Sequence, residues 1–250
     1  MAATWSVISG IIGPHLTDDM VDCANPKPST VFLFDVDNTL LDNDHVADDL
    51  KRYLTKEVGQ PSSGRYWEIF EQLRMELGYA DYLGALQRYR IERPRDPKLL
   101  AVSHFMINYP FANRLFPESL DAAAHAQKLG RVVILSDGDV VFQPLKVDRS
   151  GLYEAFEGQV LIYIHKEQEL DDVEAKYPAE HYVMVDDKVR ILAAIKKHWS
   201  ARVTTIFPRQ GHYAMDLGEV ARYPKPDITL ERIGELQKYS LEQILSAAGE

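Results

Sequence analysis

The sequence predicts an α/β protein: a doubly wound parallel sheet interrupted by an inserted α-helical cap. Three observations lead there. Five short apolar runs are continuous rather than alternating, the pattern of strands buried on both faces. Helical segments separate the later runs, giving the strand-helix alternation of a parallel sheet. One interval, between the first and second runs, holds roughly 95 residues where a single crossover helix needs far fewer, so something is inserted there.

Taken in order, residues 1–28 form an N-terminal extension. Its apolar stretch from Trp5 to Ile12 has no basic residue before it, is interrupted by Pro14, His15 and Asp18, and is too short to span a bilayer. The first strand is Val31 to Phe34. Four helices are expected next, at His45 to Val58, Arg65 to Leu77, Ala80 to Arg90 and Pro97 to Asn108, punctuated by Gly59, Pro61, Gly78 and Pro94. They make a cap of residues 45–108 and leave 29–44 and 109–250 to the core. A return helix at Leu120 to Leu129 leads to strands at Val132 to Leu135, Val160 to Ile164, Tyr182 to Val185 and Val203 to Phe207. Between the last two, Val189 to Trp199 reads as a helix with Ile191, Leu192 and Ile195 on one face and Lys196 and Lys197 pointing away.

A chain of 250 residues is long enough for one sizeable core plus an insertion. Its net charge is −10 and it has no block of consecutive basic residues, so it offers no electrostatic footprint for nucleic acid or an anionic membrane. Arg88, Arg90, Arg93 and Arg95 are a local exception; they read as a solvated face, with contact to an anionic part of a substrate as the functional alternative. Cys23 is the single cysteine, which excludes an intramolecular disulfide and points to a reducing, cytoplasmic setting. His45, His165, His181 and His212 show no metal-ligand spacing. Tyr66, Trp67 and Phe70 are expected to pack the interior of the cap. The acidic segment from Asp35 to Val46 fails as a calcium loop, because Leu40 stands where the turn needs Gly and Val46 where Glu is needed.

In an open parallel sheet, ligands bind beyond the carboxyl ends of the strands. Directly after the first run stand Asp35, Asp37 and Thr39; after the second, Ser136, Asp137 and Gly138; after the third, His165 and Lys166; after the fourth, Asp186 and Asp187. One such Asp is ordinary turn chemistry, but four polar strand ends in succession are not. Clustered carboxylates repel unless a cation lies between them, and an oxygen-only set suits Mg²⁺. Ser136 and Lys166 suit the oxygens of a phosphoryl group.

These strand ends resemble the haloacid dehalogenase (HAD) superfamily. Phe34-Asp35-Val36-Asp37-Asn38-Thr39-Leu40-Leu41 is similar to its first motif, Leu135-Ser136-Asp137-Gly138 to its second, Lys166 to its third and Val185-Asp186-Asp187 to its fourth. Leu115-Phe116-Pro117 adds to a likeness that runs from about residue 30 to 210. The resemblance implies a phosphatase with Asp35 as nucleophile and Asp37 as general acid and base, Thr39 orienting Asp37, and Ser136 and Lys166 holding phosphate oxygens. Backbone N–H groups around Val36, Asp37 and Asp137 would complete the cradle. Mg²⁺ would sit on Asp35, the Asp37 carbonyl and the acids Asp186 and Asp187. Many relatives carry Gly-Asp in the fourth motif, which aligns Asp187 with the direct ligand. Lys146 lies nearer the second motif, but Lys166 alone directly follows an apolar strand. Bringing Asp35 and Asp187 to one cation requires strand order 3-2-1-4-5, the Rossmann-like arrangement. The expected substrate is a small phosphorylated metabolite. A phosphomutase would use the same two aspartates; a dehalogenase of this fold lacks the second acid, which Asp37 supplies here; a non-catalytic binding protein would have no use for clustered carboxylates.

Overall fold

The computed structural model describes residues 30–248. The N-terminal extension, with Cys23, lies outside these described residues. Six parallel strands form one sheet in the order β3-β2-β1-β4-β5-β6: β1 (Thr30–Phe34), β2 (Arg131–Asp137), β3 (Val160–Tyr163), β4 (His181–Val185), β5 (Val203–Pro208) and β6 (Ile228–Leu230). The expected order of the first five is observed, and the edge strand β6 adds to it, with Ile206 opposite Ile228.

The helices are α1 (Asn43–Val58), α2 (Gln60–Leu77), α3 (Tyr82–Glu92), α4 (Leu99–Ile107), α5 (Ser119–Leu129), α6 (Phe142–Arg149), α7 (Leu152–Ala155), α8 (Leu170–Lys176), α9 (Val189–Trp199), α10 (Gly211–Met215), α11 (Leu217–Val220) and α12 (Leu241–Ala247). Local chemistry sets several ends. The Asp42 carboxylate caps α1 by accepting the His45 N–H at 3.0 Å. Asp81 does the same for α3 at Gly84, and Ser240 and Gln243 form a reciprocal capping box on α12.

Alternation along β1 divides the interior in two. Phe32 and Phe34 join Ala122, Ala126, Phe142, Phe156 and Ile244 on one face; Val31 and Leu33 join Leu170, Val173, Ile191, Ile195 and Trp199 on the other. The first cluster runs on without a break into Leu50, Tyr66, Leu86 and Val102 of the inserted helices. The chain enters and leaves this helical segment side by side: Leu41 and Leu115 form an antiparallel bridge, and the Asp42 N–H donates to the Arg114 carbonyl at 2.7 Å.

The structure departs from expectation at Lys196. Its ammonium turns back to the core and donates to both oxygens of Asp227 (2.8 and 3.0 Å) and to the Val203 carbonyl, linking α9 to β5 and to the turn before β6. Among the described residues no helix is long and apolar enough to cross a membrane.

Candidate active site

The segment after β1 curls at once. Leu40 and Leu41 both donate their N–H to the Val36 carbonyl (3.0 and 2.9 Å), and Asn38 adopts a left-handed conformation with φ 61°. Asn is among the few non-glycine residues that accept this backbone, because its short polar side chain bonds locally. Here the side-chain oxygen Oδ1 of Asn38 accepts the Asn43 and Asp44 N–H groups at 3.0 and 3.2 Å.

Inside this curl Asp35 is buried, and its Oδ1 accepts the Lys166 ammonium at 2.6 Å and the Ser136 hydroxyl at 3.4 Å. Its Oδ2 has no hydrogen-bond partner. Lys166 also forms an ion pair with Asp186 Oδ2 at 2.7 Å, so a single ammonium ties the third strand end to the first and the fourth. Burial pulls the Lys166 ammonium toward neutrality, but the Asp186 and Asp35 carboxylates outweigh it and raise its pKa. The carboxyl group of Asp137 accepts the Lys166 N–H at 2.7 Å, and burial raises its pKa.

Asp35, Asp186 and Asp187 each place one oxygen within 4.8 Å of the others. Asp186 Oδ1 takes the Lys188 N–H at 2.8 Å, whereas neither oxygen of the fully buried Asp187 has a partner. Burial, compounded by the neighbouring carboxylates, pushes the Asp187 carboxyl well above the usual range. Three orphaned carboxylate oxygens, on Asp35 and Asp187, are the donor set a hard divalent cation takes. The acidic cluster therefore fits a divalent cation, with Asp187 better placed than Asp186 as a direct ligand.

Thr39 and Lys146 have partners that the sequence did not predict. Thr39 is fully buried and its hydroxyl accepts the Asp187 N–H at 3.0 Å, so it braces the fourth strand end and is closed to substrate. The third-motif alternative Lys146 belongs to a different place: its ammonium donates to both oxygens of Asp37, at 2.6 and 2.8 Å. Sequence reading had no signal for that contact, since Lys146 lies on α6 rather than at a strand end. Lys188 was missed in the sequence, although its place directly after Asp187 at the fourth strand end is a signal for it; its charge is favoured by Asp187, Asp35 and Asp186 despite burial, and its Nζ stands 5.0 Å from the Tyr213 ring centre.

A cavity of about 550 Å³ adjoins the site, lined by Asp37, Asn43, Asp137 and Lys188 from the core side and by Trp67, Phe70, Arg74 and Tyr82 from the inserted helices, whereas Asp35, Ser136, Lys166, Asp186 and Asp187 are buried and do not line it. Trp67 and Phe70 thus face the cavity as well as packing, Trp67 against Tyr66 and Phe70, and Phe70 against Tyr82. The arginine segment does not line it: Arg88 pairs with Glu76 at the surface, and Arg93 and Arg95 border a separate shallow depression. His165 packs against Gly78, His181 bonds Thr204, and His212 bonds Asp44.

A strand-end nucleophile candidate, a buried lysine across it and an acidic triad on a 3-2-1-4-5-6 sheet define a class of hydrolase. The family model for haloacid dehalogenase-like hydrolases matches residues 30–198, and the chain belongs to that family. A haloacid dehalogenase-like hydrolase of Burkholderia xenovorans is 63% identical, with a TM-score of 0.82 over 86% of this chain and all of that one. More distant folds include an L-2-haloacid dehalogenase of Xanthobacter autotrophicus (19% identity, TM-score 0.54, 83% of this chain and 96% of that one). A HAD-type hydrolase of Bacillus subtilis bound to magnesium is similarly remote (16% identity, TM-score 0.54, 85% and 98%). No curated protein sequence matches the chain.

Proposed function

We propose that the protein is a Mg²⁺-dependent phosphatase acting on a small phosphorylated metabolite through an aspartyl-phosphate. The observation that carries this reading is the pair Asp35 and Asp37: one carboxylate seated among the buried cations and acids, the other two residues on, at the cavity wall. Asp35 attacks phosphorus and forms an O–P bond as the ester P–O bond breaks, and Asp37 gives its proton to the departing oxygen, releasing the alcohol. Asp37, now a carboxylate, takes a proton from water, whose oxygen displaces Asp35 and releases phosphate. Lys166 and Ser136 hold Asp35 through Oδ1; the other Lys166 donors go to Asp186 and to the Leu135 carbonyl, so Lys166 would exchange one of these partners for a phosphoryl oxygen. Mg²⁺ would be held by Asp35, the Asp37 carbonyl, Asp187 and, less directly, Asp186, and when bound it supplies positive charge against the phosphate. A phosphomutase would return the phosphoryl group to a second hydroxyl. Dehalogenation needs no proton donor for its leaving halide, so Asp37 favours the phosphate ester.

The test is release of inorganic phosphate from p-nitrophenyl phosphate and a panel of phosphorylated metabolites, with Mg²⁺ and with chelator, beside halide release from 2-haloacids. Metal-dependent phosphate release that nearly vanishes in Asp35→Asn is expected. Halide release without phosphate release, or an Asp35→Asn protein that is folded and fully active, overturns the reading.

A further inference from the structure

Lys146 is an ion buried where the reaction above makes no use of it. It stands 1% exposed on α6, with the Phe142 ring centre 5.7 Å from Nζ. An ammonium has three donors and no acceptor. Two go to Asp37 Oδ1 and Oδ2, and the third to Asn43 Oδ1 at 3.0 Å. Lys146 therefore has no donor left for a substrate. Asn43 is fixed in turn: its N–H donates to Asn38 Oδ1 and its side-chain amide to the Tyr82 hydroxyl at 3.4 Å.

Burying a lone ammonium costs several kcal/mol unless partners compensate, so a lysine placed here is held by what it holds. Asp37 sits beyond the end of β1 in a loop, with its side chain 22% exposed at the cavity. Its backbone is set by the curl, but the curl does not fix its side chain. The bidentate contact from Lys146 on α6 does, and Asn43, the first residue of α1, steadies that ammonium in turn.

We propose that Lys146 is the positioning residue for Asp37: held in place by Asn43, it fixes the carboxylate that exchanges protons with the leaving oxygen. The role rests on the phosphatase reading given above. It predicts that loss of Lys146 slows formation of the aspartyl-phosphate in proportion to how much the leaving group needs a proton, whereas hydrolysis of that intermediate, in which Asp37 takes a proton from water, slows alike for every substrate. A nitrophenolate leaves without one, and an alkoxide does not.

Lys146→Met keeps the length and removes the donors, and Lys146→Gln keeps an N–H donor; cooperative thermal unfolding of each shows that it is folded. With Mg²⁺, kcat/KM of Lys146→Met, which reports the steps up to release of the alcohol, should fall on an alkyl phosphate by on the order of 10²-fold or more, the scale of general acid–base catalysis. On p-nitrophenyl phosphate kcat/KM should fall less than about 10-fold, and Lys146→Gln should recover part of the alkyl phosphate kcat/KM. Equal losses on both substrates overturn the proposal. A crystal structure of Lys146→Met gives an answer independent of activity: the Asp37 carboxylate is expected to leave its wild-type position while Asp35 keeps its own, and an unmoved Asp37 overturns the proposal. Wild-type protein that releases phosphate from neither substrate would instead count against the phosphatase reading, with the position of Asp37 still deciding the role of Lys146.

Discussion

Asp187 combines complete burial with two carboxylate oxygens that no donor reaches, an arrangement that costs stability until a cation or a proton arrives. A divalent ion that binds the folded protein and not the unfolded chain stabilises the fold by mass action, about 2.7 kcal/mol at a hundredfold excess over Kd. Titrating Mg²⁺ at neutral pH should therefore raise the thermal unfolding midpoint of the wild type, and chelator should reverse it. In Asp187→Asn most of that rise should disappear, because the neutral amide is a poorer ligand; a variant that retains the full Mg²⁺ shift would remove Asp187 from the metal site. Much of the site was legible residue by residue, since Asp35, Ser136, Lys166 and Asp187 follow apolar strands directly. The partner of Asp37 was not. An ion pair between residues 37 and 146 has no local sequence signal, as only the fold sets their distance.

Helix ends carry two further consequences. Gly78 closes α2 with φ +80°, and a Cβ built on it would stand 2.5 Å from the His165 ring. A side chain there meets both the left-handed penalty and the ring, so Gly78→Ala should cost about 1–2 kcal/mol from the backbone alone. Adding His165→Ala should recover the steric part and leave the backbone part. Chemical denaturation of the single and double variants checks this, and full recovery would mean that φ is not limiting. At the other side of the inserted helices, burial tends to raise the Asp49 carboxyl on α1, but hydrogen bonds from Tyr109, Arg114 and Arg52 outweigh it and hold the pKa down at about 2. The folded pKa is below the unfolded value of about 3.9, so the stability Asp49 contributes is full above that value and is lost as pH falls toward 2. Unfolding midpoints of wild type and Asp49→Asn should converge across that interval, and a gap that stays constant would exclude the effect. Elements were legible where apolar runs or caps announced them. The strand β6, only three residues long and preceded by Pro224 and Pro226, and the helix α6, with Pro144 in its first turn, lack those signals.

At the scale of the whole molecule, the sheet order followed from a chemical requirement: Asp35 and Asp187 could share a cation only if β1 and β4 were neighbours, and they pair from Thr30↔His181 to Phe34↔Val185. Continuity between the apolar interior of the inserted helices and the face of the sheet beneath them was not legible, because periodicity shows which residues turn inward but not against what. The central place of β1 also has a consequence for biosynthesis. It is the first described strand to leave the ribosome, yet β2 lies about 100 residues downstream and β4 about 150. At roughly 5–20 residues per second, some 7–30 s pass between the synthesis of Thr30–Phe34 and that of its second neighbour. Until then one of the most apolar segments of the chain, with Asp35 at its tip, has both edges open in turn to other chains. The helices made directly after it share the cluster of Phe32 and Phe34, so the nascent protein carries its own cover for those two rings while the rest of the sheet is still being translated.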